Sequence, residues 1–280
     1  MWGGAPHTPL SYRHPVPPHT GAVSPIMVNY DTRRRRARNV AMRAALPFRP
    51  DDRCVVFGCG SLTRKAASKG LDGRLCRRHA DYHSRHGSPY KGSYGAGIIN
   101  RYRDAVLAWL EANSTDVWVV DAIGRVQGLY ARSGPFVEAY RLRGLSPRER
   151  ATKLWARLRR CEIDPKVVVA SALAVELVIS NDYQAVRTTE YRKVQVAKVV
   201  HRLASGSHRK WNTEGGLVEL HKYPQSRGQV LRFVGADLVL ATELLVDARL
   251  STVNAAIATA AVKSLSRRVA RRRSCEKELA

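Results

Sequence analysis

The sequence is poor in acidic residues and has no apolar run long enough to cross a membrane. Lys and Arg number 48 against 23 Asp and Glu, which gives a formal net charge of +25. This excess is larger than solubility requires, and its natural counterpart is a polyanion, nucleic acid above all. The longest apolar run, residues 167–179, is shorter than a membrane span and contains Glu176. It therefore predicts a buried core element and no membrane partner.

Cysteine is also scarce, which argues against a secreted protein held by disulfides. Three of the five cysteines lie between residues 54 and 76, while Cys161 and Cys275 are isolated. This uneven distribution suits a reducing compartment. The N-terminal residues contain no continuous apolar stretch, so we expect neither a secretory signal nor an anchor. The expectation is a cytoplasmic protein, associated with the nucleoid if the source is bacterial.

Common catalytic motifs are missing as well. The chain has no glycine-rich phosphate loop, no nucleophile elbow and no paired-carboxylate signature, and its acids are mostly scattered singly among basic residues. These absences favour a binding protein over an enzyme and leave the question of catalysis open.

Composition divides the chain into three parts. Residues 1–51 form a predicted disordered basic arm, because the first 30 are rich in Pro, Gly, His and Ser and residues 33–49 hold seven arginines and no acid. Met27 is an alternative start of translation. Residues 52–95 hold the cysteine cluster, and residues 96–280 have the apolar periodicity of a helical domain.

The fold class predicted for the chain is mainly α. A capping residue, an N1 proline and a capping-box acid stand in order at Ser146, Pro147 and Glu149, and another helix opens at Asp164 and Pro165. Residues 217–223 alternate and predict a short strand or hairpin after two glycines. Further helices are predicted over residues 98–113, 117–131, 188–203, 229–246 and 252–272.

Four residues have the spacing of a closed zinc site. Cys54 and Cys59 are separated by four residues, with glycines on both sides of the second, so the chain can turn sharply and aim both sulfurs at one point. Cys76 and His79 are three apart, which places them on one face in the first turn of a helix. With every position filled by protein, the ion would be structural and would supply folding energy to a module with little apolar content.

The fourth ligand has rivals in sequence. His83 and His86 lie one or two helical turns beyond His79, so either could substitute for it. His79 is favoured because it completes the short pair with Cys76. The alternative to a metal site is that the cysteines are ordinary buried residues, which a small basic segment gives little reason to expect.

This segment resembles a small zinc module of bacteriophage and mobile-element proteins that is often joined to HNH endonuclease domains. The module has Cys-x4-Cys, a variable loop, Gly-Leu-Cys-x2-His and then His-Gly-Asp-Pro. Here Arg74 stands between Gly73 and Leu75, Ala80 replaces an aromatic residue, Ser88 replaces the Asp, and the loop before Cys76 is longer. The resemblance implies that His86 belongs to the trailing turn and not to the metal. The matching residues are Cys54, Cys59, Leu75, Cys76, His79, His86, Gly87 and Pro89.

The resemblance also raises an HNH nuclease as the alternative function. Such an enzyme needs a general-base His, a positioning Asn and a metal-ligand His in a strand-strand-helix unit. The closest pattern is His208, Asn212 and His221. We expect His208 at the end of a helix and His221 in the alternating segment, so polar loop residues are the favoured interpretation.

The expected function is that of a zinc-stabilised accessory or regulatory protein that binds nucleic acid, with DNA favoured and an RNA-binding or ribosome-associated structural role as an alternative. Tyr90 and Tyr94 could stack on bases or simply pack on the module. For each basic residue the alternative is an ordinary solvated side chain. The candidate phosphate contacts are Arg33, Arg34, Arg35, Arg36, Arg64, Lys65, Arg77, Arg78, Arg85 and Lys91.

Overall fold

The computed structural model of the chain describes residues 52–224 and 227–278, with side chains as far as residue 259 in the last helix. It also describes residues 34, 35, 37–39, 41 and 42, which are helical and exposed. Most of the predicted disordered arm therefore lies outside the described residues. The described chain is mainly helical with one small sheet, which confirms the predicted fold class.

The elements follow one another in a simple order. A short helix, α1, belongs to the cysteine module, and a 3₁₀ helix at Ala139–Gly144 joins α3 to α4. The hairpin β1–β2 separates α6 from the last helix. The bounds are α1 Arg77–His86, α2 Ala96–Ala112, α3 Val117–Arg132, α4 Pro147–Arg160, α5 Pro165–Asn181, α6 Thr189–His201, β1 Ser207–Thr213, β2 Gly216–Lys222 and α7 Gln229–Glu278.

Helix α5 forms the centre of the core, as its apolar composition predicts. It packs against α2, α3, α6 and α7, and most of its residues are buried. Small Ala and Val side chains allow neighbouring helices to approach on several sides. Glu176 is the single acid of this helix, and Arg192 of α6 donates to both of its carboxylate oxygens (3.2 and 2.9 Å). Burial nevertheless raises the pKa of Glu176 above its ordinary value.

Side-chain caps define where several helices begin. Ser146 accepts from the backbone N–H of Glu149, and the Glu149 carboxylate accepts from the Ser146 N–H, which confirms the predicted capping box. Asp164 likewise caps α5 and Thr188 caps α6. These polar residues satisfy backbone donors that have no partner within the helix. The starts of these helices were therefore predictable from local sequence.

The two predicted final helices are in fact one. Helix α7 continues without interruption through residues 247–251, where the sequence analysis placed a break. No Gly or Pro occurs there to stop the helix, and Val253, beyond the expected break, is fully buried in the core. Because the buried side of α7 packs on the core both before and after residues 247–251, the helix continues across them.

Candidate metal centre

The segment from Cys54 to Cys59 forms a tight knuckle. The Cys59 N–H donates to the Val56 carbonyl (3.0 Å), and Gly58 adopts a φ of 74°, a left-handed conformation that side chains disfavour. The Cys54 N–H donates to the Ser61 carbonyl (3.0 Å), which closes the loop from the other side. The predicted reversal at the glycines therefore brings both sulfurs to the same point.

Helix α1 supplies the other pair of side chains. Cys76 is its N-cap residue and His79 lies in its first turn, as the spacing predicts. Backbone hydrogen bonds hold this helix start against the knuckle, from Val55 N–H to the Arg74 carbonyl (2.9 Å) and from Arg64 N–H to the Leu75 carbonyl (2.9 Å). The long loop between the two cysteine pairs thus folds back on itself.

The four side chains converge so closely that one metal ion could contact them all. Cys59 Sγ and Cys76 Sγ are 3.9 Å apart, and His79 Nδ1 lies 3.3 Å from Cys54 Sγ and 3.4 Å from Cys76 Sγ. All four ligand atoms lie within 4.8 Å of one another. Zinc bond lengths in a regular tetrahedron require S···S separations of about 3.8 Å and S···N separations of about 3.6 Å. The residues fit such an ion, and the cysteines form no disulfide.

Cys59 and Cys76 have different surroundings. A hydrogen bond from the Ser61 backbone N–H lowers the pKa of Cys59, since it stabilises the thiolate. Burial raises the pKa of Cys76. Bringing sulfur ligands together without a cation is therefore unfavourable at the buried thiol, and a bound cation would compensate it.

The trailing histidines point away from this centre. His86 Nδ1 accepts from the Ser93 N–H (3.1 Å) and lies 3.2 Å from Lys198 Nζ on α6, and burial lowers its pKa. His83 lies 3.4 Å from the Glu190 carboxylate. Neither belongs to the ligand cluster, in agreement with the choice of His79.

The module is docked firmly on the helical body. Gly87 ends α1 with a φ of 78°, and a Cβ at this position would lie 2.9 Å from Tyr191 Cα and 3.0 Å from the Glu190 carbonyl oxygen. Gln195 donates to the His86 carbonyl (2.7 Å), and Tyr191 donates to the Gly92 carbonyl (2.7 Å). This close backbone approach explains why glycine stands in the trailing turn.

The candidate phosphate contacts differ in their exposure and in their partners, and Arg85 Nε donates to the Asp81 carbonyl within its own helix (3.3 Å). Arg77, Arg78 and Arg85 are exposed on the side of α1 that faces away from the body. Lys91 instead forms an ion pair with Asp182 (2.9 Å), and Arg64 folds back to donate to the Lys69 carbonyl (3.2 Å).

The other candidate phosphate contacts and the two candidate stacking tyrosines differ in their exposure. Lys65 is half-buried, whereas Arg34 and Arg35 are exposed. Arg33 and Arg36 lie outside the described residues. Of the two tyrosines, Tyr90 is exposed, but Tyr94 donates to Asp182 (2.9 Å) and packs edge-on against Tyr191. Tyr94 therefore helps to dock the module.

Phe57 and Trp211 are exposed aromatic side chains that the sequence patterns did not identify. Phe57 is fully exposed at the tip of the knuckle, and Trp211 is 45% exposed on β1. The position of Phe57 between two ligand cysteines was the available signal, because a knuckle that short turns its middle residues outward.

The nuclease pattern is partly reproduced. A strand-strand-helix order does occur, and His208 lies on β1 and not at a helix end, which corrects the sequence expectation. Its imidazole faces His221 of β2, with the Nδ1 atoms 2.5 Å apart. His221 thus lies on a strand, and no histidine follows it in the chain, so α7 has none to offer as a ligand.

No protein-family model matches the chain, and neither a curated protein nor a solved structure does. Across the described residues, every helix falls short of the length or the apolar character needed to span a bilayer.

Proposed function

We propose that this chain is a zinc-stabilised DNA-binding protein with an accessory or regulatory role, of the phage or mobile-element type that its cysteine module resembles. The metal is proposed to be zinc because three thiolates and one imidazole in a tetrahedron suit that ion, and a filled coordination shell suits a structural role. The ion would hold the knuckle against α1 and so fix the direction of the helix.

The observation that carries the proposal is the basic face of α1. Arg77, Arg78 and Arg85 are exposed, while His83 and His86 on the other side contact the body. With the helix held at one end by the proposed metal ligands and at the other by α6, its arginines extend from a fixed backbone. Such a group of arginines, in a chain with a net charge of +25, is suited to phosphates.

The test is the salt dependence of binding to duplex DNA, measured by fluorescence anisotropy with the full chain. Replacing Arg77, Arg78 and Arg85 by Gln should reduce the slope of log affinity against log salt by about 2.7, since each phosphate contact contributes about 0.9. A matched control removes three other exposed arginines, Arg101, Arg132 and Arg160, and should change the slope much less. Affinity that does not fall as salt rises would remove the proposal.

Two alternatives are separated by direct assays. The strand-strand-helix order favours testing an HNH nuclease, and metal-dependent nicking that is lost in His221→Ala would support it. Cleavage that is absent, or unchanged in the variant, would remove it. The RNA-binding alternative is tested by competition for binding between duplex DNA, single strands and structured RNA. Such a comparison is needed because cationic side chains alone do not distinguish these ligands.

A further inference from the structure

The hairpin β1–β2 is fixed at its base and exposed along the rest of its length. Every residue of the two strands except Ser207 is exposed. Ser207 Oγ accepts from the Ala139 N–H (2.7 Å), and Arg209 donates to the Glu138 carboxylate (2.9 Å). Gly206 lies so close to the Lys222 carbonyl that a Cβ there would be 2.1 Å from its oxygen. The ribbon therefore leaves the body in a fixed direction.

One face of this ribbon carries an apolar cluster that is open to solvent. Trp211 pairs with Val218 across the strands, and Leu220 is the next residue on the same face of β2. Their exposed fractions are 45%, 38% and 36%. A two-stranded hairpin alone is only marginally stable in water, and exposed apolar clusters mark contact surfaces. Both facts indicate that this face has a partner.

The charge of the surface at the base of the ribbon indicates whether that partner is anionic or cationic. A shallow groove begins where the hairpin joins the 3₁₀ helix, and no carboxylate lines it. A second copy of a chain with a net charge of +25 would be repelled there. A polyanion would be attracted, with phosphates in the groove. Its cationic and tyrosine side chains include Arg143, Lys222, Tyr140 and Tyr223.

We propose that the β1–β2 ribbon enters the major groove of duplex DNA while this basic groove holds the adjacent phosphates. The B-form major groove, about 12 Å wide, admits a two-stranded ribbon whose strands are about 4.8 Å apart. The major groove of A-form RNA is too deep and narrow for it. The inference rests on the proposed function and narrows its ligand to duplex DNA.

The register of the hairpin permits a clean truncation. Arg209 and Leu220 face each other across the strands, so a single Asn-Gly turn can join them in place of residues 210–219. This deletion removes one lysine and two glutamates and so raises the net charge by one. A lower affinity for DNA could not then be attributed to lost positive charge. Trp211→Ser is the second, milder variant.

The experiment compares wild type and both variants, as full chains, on a DNA duplex and an RNA duplex of the same sequence at fixed salt. The truncation should weaken DNA binding about tenfold or more and leave RNA binding unchanged, and Trp211→Ser should give a smaller loss of the same kind. Unchanged zinc content and unfolding midpoint verify that the variants fold.

Two results would overturn the inference while leaving the proposed function standing. One is DNA affinity that is equal or higher after truncation, and the other is an equal loss on DNA and RNA duplexes. A wild-type chain with no salt-dependent affinity for DNA would remove both proposals together.

Discussion

Replacing Gly87 by Ala should weaken the docking of the cysteine module on the helical body and leave the four residues of the candidate metal centre unchanged. Gly87 is buried at the junction, where it ends α1 in a left-handed conformation. The added methyl carbon would lie 2.9 Å from Tyr191 Cα and 3.0 Å from Val194 Cβ. Because Tyr191 and Val194 belong to a packed helix, neither atom can move aside cheaply.

Two separate effects set the size of the change. The left-handed conformation costs Ala about 1–2 kcal/mol relative to Gly. Forcing a methyl group into a close-packed contact adds about 1–3 kcal/mol. The free energy of unfolding should therefore fall by about 2–5 kcal/mol, or the module should detach and relieve the contact.

Urea denaturation followed by circular dichroism measures this loss, and hydrogen exchange over residues 84–93 detects detachment. Gly134→Ala is the matched control: its φ is 67°, but the added carbon would meet only the flexible end of Lys153, at 3.4 Å. It should show the conformational cost alone. If both variants lose the same stability within about 0.5 kcal/mol and exchange is unchanged, the close packing of the module on α6 is refuted.

Three smaller predictions follow from other sites. Ser146→Ala removes the cap of α4 and should lower the free energy of unfolding by about 1 kcal/mol in urea denaturation; no loss would contradict the capping box. Phe57→Ser should leave stability within about 0.5 kcal/mol of wild type, since the side chain is fully exposed; a larger loss would mean that the ring packs. Burial, reinforced by Arg157, lowers the pKa of His201 to about 3. Only the unfolded chain then takes up this proton below about pH 6.5, so stability should fall on acidification by up to roughly 1.4 kcal/mol per pH unit. His201→Gln should flatten this part of the pH profile, and an unchanged slope would exclude the assignment.

The features predicted correctly from sequence are those with a local cause. Cys76 and His79 were identifiable because one helical turn fixes their separation, and Ser146 because capping depends on residues three apart. Strand β1 was not predicted, since its sequence Ser-His-Arg-Lys-Trp-Asn-Thr has no apolar alternation. Its strand conformation comes from pairing with β2.

Contacts between distant residues were beyond the reach of sequence patterns. Lys91 was a candidate phosphate ligand until Asp182, remote in the chain, proved to be its partner. Gly87 was assigned to the trailing turn of the module, but its contact with Tyr191 has no signal in either segment. The charges and spacings of residues in the sequence do not show which distant residues will be in contact once the chain is folded.

We propose that Cys54, Cys59, Cys76 and His79 hold one structural zinc ion. Elemental analysis of the purified full-length chain, beside a Cys76→Ser variant, tests this most directly. We predict one zinc per wild-type chain, and in the variant a loss of zinc together with loss of hydrogen-exchange protection over residues 54–80. A variant that keeps its full zinc content and an intact module would contradict the claim, as would a wild-type chain that folds this module without metal.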